Sequence, residues 1–417
     1  MHLFRTRSFA LLFAGEAVNG IGSWTALIAL WGFAAYRFHS GAGEIALLAL
    51  CWSAPAAILG PLTGVPIDRL DPRRVLIGAY LACALAAGAM ALAGSLTQLA
   101  ILATLYGICK AFAVPAADAL PARIVAPGDL LAANALLGAA QESSIVFGPL
   151  VAAVAIAVAG LQAAFVIDAV TYLVGVVVVA PLTLSAVAAP ARPRLRTEVT
   201  EGFSLTRSTP VLGYVLALSS AAFLTWAAFI VIEPLYTRDV LHRPASQFAL
   251  FQVAFGVGLV LTSLVLPRLG PRVGGARSLA TAVLLSGLTA ALYVGTHDVR
   301  LAYLGVFGWG VDVAFFSAPS RTMLQRASPA HAHGRVLALY RTANSVADVL
   351  AVPLTGLAVG LVGVQVTGLT VAGLASVAGV IGLLVAPMLV RTEHREPTSH
   401  PGPDVVIPVR PPEPAHR

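Results

Sequence analysis

Apolar runs of about twenty residues recur along nearly the whole chain, and short polar clusters punctuate them. Crossing a hydrocarbon layer of about 30 Å takes roughly 20 residues of helix, so each run is long enough for one crossing. The pattern predicts six helices near 8–36, 44–66, 74–94, 98–120, 131–159 and 162–186. Six more are predicted near 211–234, 246–267, 276–296, 299–322, 334–362 and 366–390. The expected fold class is an all-α membrane protein with twelve transmembrane helices. Its expected organisation is an N-terminal six-helix bundle (1–186), a cytoplasmic linker (187–210), a C-terminal six-helix bundle (211–390) and a disordered, Pro-rich cytoplasmic tail (391–417).

Composition agrees with the pattern: 58% of the 417 residues are hydrophobic, only 11% are charged, and the mean hydropathy is +0.86. A soluble domain of this length needs far more polar surface. The first apolar stretch is long and lacks a small-residue cleavage site, so no cleavable signal is expected. Three scattered cysteines, Cys51, Cys83 and Cys109, form neither a disulfide framework nor a metal-ligand spacing. The net charge of +7 does not point to nucleic acid, because the arginines sit in short loops between spans. Eighteen of them fall on one side of the predicted helices, against Arg37, Arg238, Arg243 and Arg300 on the other. That bias places both termini in the cytoplasm, in a multi-pass protein of a bacterial cytoplasmic membrane.

One polar cluster is unusually dense. GVPIDRLDPRR at 64–74 carries Asp68, Arg69, Asp71, Arg73 and Arg74, five charges in seven residues between two apolar helices. Part of it recurs, since Arg69-Leu70-Asp71-Pro72-Arg73 is echoed by Arg268-Leu269-Gly270-Pro271-Arg272. GICKAFAVPAADALPARIVAP at 107–127 is likewise echoed by GVDVAFFSAPSRTMLQRASPA at 310–330. A duplicated six-helix unit is common in transporters that rock two bundles about a site near the bilayer midplane.

GVPIDRLDPRR resembles the loop 2–3 signature of the major facilitator superfamily: a Gly, three residues, Asp-Arg, then a short basic run. The DRxDxRR form, with Asp71 where many members have Gly, resembles the macrolide-efflux and enterobactin-exporter (drug:proton antiporter) branch. VPAADALPARIVAPGDLLAANAL (114–136), GPL (148–150), AFVIDAVTYL (164–173), EGFSLTRSTPVL (201–212) and EPLYTRDVL (233–241) extend the resemblance to about residue 390. It implies two pseudo-symmetric bundles in the major facilitator fold, and a cytoplasmic gate. In that gate Asp68 faces the N-terminus of helix 11, a favourable place for an anion by about 0.3–1 kcal/mol. Arg69, Arg73 and Arg74 would pair with acids near the helix 4–5 hinge, such as Asp118 or Asp129, and Gly64 would allow close packing. The plainer alternative is that the arginines only set topology. In the second copy Pro267 stands in the place of Asp68. Gly148-Pro149 resembles the helix 5 Gly-Pro of exporters, which bends and tightens that helix; a simple kink is the alternative.

Ionisable side chains at the bilayer centre cost at least ~2.5–3.5 kcal/mol, so each needs a reason. At about 1.5 Å per residue, Glu16, Lys110, Glu142, Asp312 and Arg341 fall in one layer roughly 10–16 Å from the cytoplasmic side. Lys110 is the only lysine. Glu16, Asn19 and Ser23 form one polar stripe at i, i+3, i+7, as do Arg341, Asn344 and Asp348. Two readings stand for these charges. In one, Glu16 and Glu142 bind and release a proton or cation, and Lys110 modulates them. In the other, Lys110–Glu142 and Asp312–Arg341 are internal pairs that neutralise each other. Asp168 is expected to be a structural residue near the outer end of helix 6. Trp24, Phe112, Trp226, Phe315 and Phe316 are candidate aromatic contacts for a substrate, with packing as the alternative role.

The expected function is secondary active transport by alternating access: proton-coupled efflux of an amphipathic small molecule such as a drug or secreted metabolite. A siderophore-like or lipid-like substrate, or a non-transporting receptor or scaffold on the same fold, are the alternatives. No Walker sequence and no nucleophile–base pair is evident, so neither ATP drive nor enzyme activity is expected. The energy source would be the proton gradient, with no cofactor and no metal. The expected partners are the substrate and the lipid bilayer, with no nucleic acid, and the expected state is a monomer.

Overall fold

The computed structural model describes residues 2–69, 71–184, 209–328 and 333–393, and in a few helical stretches, 60–69 among them, the backbone alone. Twelve long helices follow one another: α1 Arg7–Gly32, α2 Ala42–Arg69, α3 Pro72–Ala91, α4 Leu96–Ala119, α5 Leu130–Ala159 and α6 Leu161–Val179. The second half contains α7 Pro210–Leu235, α8 Ala245–Leu269, α9 Ala276–Val294, α10 Val299–Ala327, α11 His333–Val362 and α12 Val364–Glu393. Among the described residues eleven of these helices are long and apolar enough to cross a membrane, and α2 is apolar over Ala42–Ala56. Twelve crossings return the chain to the face where it began, here termed the terminal face; the opposite one is the far face. The expected linker and tail fall almost wholly outside the described residues. Helix 6 stops at Val179, earlier than the hydropathy suggested, and the chain turns at Ala180.

Side-chain size is sorted as a membrane requires. Large apolar residues such as Leu85, Leu264, Leu357 and Leu384 point outward, while alanines make up much of the interior. Lipid tails are as apolar as leucine, so helices gain little by hiding leucines from them. Small residues that let backbones approach are what favour association.

The two halves share one plan at an offset of 203 residues. Arg7 and Pro210, Ala42 and Ala245, Leu96 and Val299, Leu130 and His333, Leu161 and Val364 open equivalent helices. In the first half α1 packs on α5 and α6, α3 on α4 and α6, and α2 on α4. In the second, α7 packs on α11 and α12, α9 on α10 and α12, and α8 on α10. The irregularities repeat too. Both α1 and α7 run into a π-helical turn, Phe33–Arg37 and Tyr236–Val240, followed by His39 and His242, each at φ 50°. Histidine is among the few non-glycine residues enriched at such angles. Gly160 and Gly363, at φ 81° and 87°, link α5 to α6 and α11 to α12.

This offset corrects the echo of the charged loop. Arg69 and Arg268 are 199 residues apart, about one helical turn out of step, so the structural counterpart of Asp68 is Pro271 and not Pro267. The physical reason is local: α8 ends at Leu269 and winds through a 3-10 turn, Gly270–Val273, before α9.

Asp71 has a clear role. It caps α3, its Oδ1 accepting from Arg73 N at 3.0 Å, with Pro72 at the first helical position. The Arg73 guanidinium does not pair with Asp118 or Asp129 as expected. Its Nη1 donates to the carbonyls of Leu182 (2.9 Å) and Ala180 (3.3 Å), just past α6. A helix C-terminus leaves carbonyls without partners and carries partial negative charge, so it competes well for a guanidinium. Arg74 is exposed. Gly64, Asp68 and Arg69 lie on the last turns of α2, and their side chains lie outside the described residues.

The closest helix contacts also repeat. On α4, a Cβ at Gly107 would come 2.5 Å from the Trp52 carbonyl oxygen; at Gly310 of α10 it would run into that of Phe255. Both glycines and both contact residues are 203 apart. Overpacking of this kind costs typically 1–3 kcal/mol. Gly310→Ala and Gly107→Ala are therefore expected to lower thermal stability by about that amount each, Gly310→Ala more, read by unfolding of the purified protein in detergent.

Candidate functional site

The bundles meet through α2 against α11 and α5 against α8. Described contacts between them lie from mid-membrane to the far face. Gly356 of α11 abuts Ala42 and Ala46 of α2, and Gly256 of α8 abuts Val146 of α5. The first bundle's core runs continuously into Val231 and Leu235 of α7, Phe248 of α8 and Val352 of α11. The terminal half of the second bundle has a separate core around Leu212, Leu279, Met323 and Leu389.

At the far face Arg238, in the π-turn after α7, ties the bundles together. Its Nη1 donates to the carbonyls of Ala35 (2.5 Å) and Ser40 (3.1 Å) beyond α1. Asp239 holds the guanidinium in place with two contacts, 2.6 and 2.9 Å. Ala35 is the repeat counterpart of Arg238, so this bond crosses the pseudo-twofold relation between the halves.

A cavity of about 450 Å³ is lined, among the described residues, by α1, α3, α4, α5 and α6 of the first bundle. Glu16, Asn19, Ser23 and Trp24 line it from α1, Tyr80 from α3, Lys110 and Asp118 from α4, and Asn134 and Gln141 from α5. It reaches Pro121, where α4 gives way at the terminal face to a short turn, Pro121–Ile124. The i, i+3, i+7 spacing on α1 delivers one wet stripe.

Glu16 is half-buried, and Tyr80 Oη donates to its Oε1 at 2.5 Å. Room for the Tyr80 ring comes from Gly175 of α6, where a Cβ would come 2.9 Å from the ring. Lys110 Nζ donates to Ser23 Oγ at 3.3 Å, and its charge acts on both Glu16 and Asp168. Tyr80 and Tyr106 carried no motif, and Tyr172 stood within AFVIDAVTYL without a role assigned to it. The available signal was chemical: a tyrosine inside an Ala- and Leu-rich span needs a partner for its hydroxyl.

Several expected residues lie elsewhere. Glu142 is exposed and is not part of the cavity wall. Successive helix residues point about 100° apart, so the turn that aims Asn134, Gly138 and Gln141 inward carries Glu142 past the edge. No Lys110–Glu142 ion pair forms among the described residues, because Lys110 turns to Ser23. Phe112 packs against the first bundle's core. Trp226 and Phe316 pack edge to face at 5.2 Å inside the second bundle, beside Phe315. Trp226 and Trp309 both donate to Ser286 Oγ, at 3.4 and 3.2 Å. Asp312 is 2% exposed in that region; the side chains of Arg341 and Asp348 lie outside the described residues. Helix α5 continues unbroken through Pro149, and Gly148 lets Trp24 of α1 close on it, with Thr25 Oγ1 donating to the Gly148 carbonyl at 3.0 Å. Asp168 lies midway along α6, not near its outer end, and is fully buried.

A twelve-helix fold with an internal repeat and a polar cavity among its helices defines a membrane transporter of the secondary type. The sequence model of the Major Facilitator Superfamily matches residues 12–346 and again 215–415, and the chain belongs to that family. The second match starts 203 residues after the first, the offset of the structural repeat. Its members are transporters, not enzymes. The chain is 22% identical to the uncharacterized MFS-type transporter YfiS of Bacillus subtilis, over 92% of this chain and 94% of that one. It is 22% identical to macrolide efflux protein A of Streptococcus pyogenes, over 86% and 90% respectively. Among solved structures it superposes on the peptide transporter POT with a TM-score of 0.74 at 16% identity, covering 92% of this chain and 95% of that one. It superposes on a bacterial homolog of the human lysosomal transporter Spinster, in an inward-facing, unoccupied conformation, with a TM-score of 0.69 at 14% identity, covering 93% and 96%. At those identities the structural likeness speaks for the fold alone.

Hydrogen bonds to a charged group are worth about 1.5–3 kcal/mol, enough to bias a two-state equilibrium roughly tenfold or more. Arg238→Ala should therefore open the far face. In a background without the native cysteines, Ala46→Cys is expected to react with a water-soluble thiol reagent roughly tenfold faster when Arg238 is also Ala. Equal labelling rates would show that Arg238 is no latch.

Proposed function

We propose that this protein exports amphipathic small molecules in exchange for protons, with both termini in the cytoplasm. The observation that carries the reading is the Tyr80–Glu16 pair facing a polar cavity inside the membrane. A carboxylate at that depth has a strong electrostatic reason to change protonation as its surroundings change; Lys110 supplies the opposing charge, and Asp118 of the same wall a like one. The terminal face then corresponds to the cytoplasm, as the arginine bias implies. The far-face contacts close the outside while the cavity extends to the cytoplasmic ends of α4 and α5, which fits an inward-facing state. Trp24 and Tyr172 offer apolar and aromatic surface to a substrate, and Asn134 and Gln141 offer amides.

Likeness to macrolide efflux protein A supports an export direction and an amphipathic cargo. Arg238 and the cavity carboxylate together favour a moving transporter over a scaffold, which has use for neither a breakable latch nor an ionisable interior.

The test is transport of a compound panel by inside-out vesicles under an imposed pH gradient. Gradient-driven uptake is expected to vanish in Glu16→Gln and to fall about tenfold in Tyr80→Phe, the loss of one hydrogen bond to a charged group. Glu142→Gln is expected to keep it. Full gradient-driven transport by Glu16→Gln would remove the coupling role, and loss in Glu142→Gln alone would move that role to α5.

A further inference from the structure

The deepest carboxylate of the first bundle is not in the cavity, yet it is connected to it. Asp168 is 0% exposed. Its Oδ2 accepts from Tyr106 Oη at 3.0 Å, and its Oδ1 has no partner. On the Oδ1 side α1 closes over it at Gly22, where an added Cβ would come 3.0 Å from that oxygen. Tyr106 Oη is 3.1 Å from Tyr172 Oη, which is 3.1 Å from Ser23 Oγ, which accepts from Lys110 Nζ at 3.3 Å. Ser23, Lys110 and Tyr172 line the cavity, whereas Tyr106 and Asp168 do not.

The chemistry of the ends sets the direction of the whole chain. An ammonium only donates and a carboxylate only accepts. With its proton committed to Asp168, Tyr106 must accept from Tyr172, and Tyr172 in turn must accept from Ser23. All four bonds therefore point one way, Lys110 to Ser23 to Tyr172 to Tyr106 to Asp168. Ser23 also lies 3.4 Å from Tyr106, which offers a shorter route that skips Tyr172. A chain whose donors all point from a cation to a buried anion is the geometry of a proton wire.

We propose that Asp168 is a proton-storing group that exchanges one proton with Lys110 of the cavity through Ser23, Tyr172 and Tyr106. In the forward step an Nζ–H bond of Lys110 breaks and Ser23 Oγ gains that proton. Each hydroxyl passes its own proton onward, and the last O–H bond forms on Asp168 Oδ2. The ammonium and carboxylate become an amine and a carboxylic acid. No charge is gained or lost in the bundle, and the hydroxyls are left pointing the other way, ready to carry a proton back. Neutralising Lys110 removes the cation that acts on Glu16, so occupancy of Asp168 is transmitted to the cavity carboxylate. The use of the wire in transport rests on the proton-coupled reading above; the transfer itself does not. The titratable groups facing Asp168 are Lys110 and Tyr106 of α4, Cys83 of α3, on which Asp168 acts electrostatically, and Tyr172 on α6 itself. Tyr80 of α3 and Glu16 of α1 flank the wire, and the one titratable residue of α5, Glu142, is exposed.

Infrared difference spectroscopy of the full chain in lipid vesicles tests this directly. A pH jump should change a carboxylic-acid C=O stretch that shifts in D2O and is missing in Asp168→Asn. Tyr106→Phe should leave that band in place but slow its response at least tenfold, and Asp168→Glu should restore a band where Asp168→Asn has none. Glu16→Gln, which abolishes gradient-driven transport if the coupling reading is right, should leave the Asp168 band responsive. Failure of proton coupling and failure of the wire are thereby separated. Absence of any Asp168-dependent band at every pH at which the protein stays folded would overturn the proposal. So would a response as fast in Tyr106→Phe as in the parent, which would leave Asp168 as a packing residue.

Discussion

Inside a hydrocarbon layer no water is present to satisfy a polar group, so each one either finds a partner within the protein or borders a cavity that water can enter. The first bundle obeys this around one constellation. Glu16 is held by Tyr80, Lys110 by Ser23, and Asp168 by Tyr106, on four helices packed closely enough for hydroxyls to touch. The packing depends on small residues, and the polar groups depend on the packing. Replacing the glycines that face Tyr80 or Asp168 would separate the helices and strand the charges between them.

The repeat shows how far the two halves have diverged in chemistry while keeping geometry. Seats that hold Ser23, Cys83, Tyr106 and Cys109 in the first bundle hold Trp226, Ser286, Trp309 and Asp312 in the second, each 203 residues on. One half fills the space with hydroxyls and a cation beside a cavity. The other fills it with indoles converging on a single serine hydroxyl. Arg238 and Ala35 make the same point at the far face, where counterparts have become donor and acceptor of one bond. Duplication supplied matched backbones, and substitution on one copy made the contact.

Membership of the Major Facilitator Superfamily establishes secondary transport across a membrane and leaves cargo to the side chains, since one fold serves many substrates. The cavity wall here mixes the carboxylates of Glu16 and Asp118, an ammonium, amides, and the faces of Trp24, Tyr80 and Tyr172.

The number of crossings, the duplication, the family and the polar stripe Glu16–Asn19–Ser23 were all legible in the sequence. Each is a property of spacing along one helix or of a string of residues repeated elsewhere, and spacing is written in the sequence directly. Which helices turn which faces toward each other is not. A rotation of about 100° separates Gln141, in the cavity wall, from Glu142, outside it, and nothing in the residues of α5 alone distinguishes the two. Asp168 read as a packing residue until Tyr106 of α4, Tyr172 and Ser23 of α1 came together over it. Arg73 found helix-end carbonyls in place of the acids expected for it. In each case the deciding contact joins residues far apart in sequence, and only the packing of helices sets that distance.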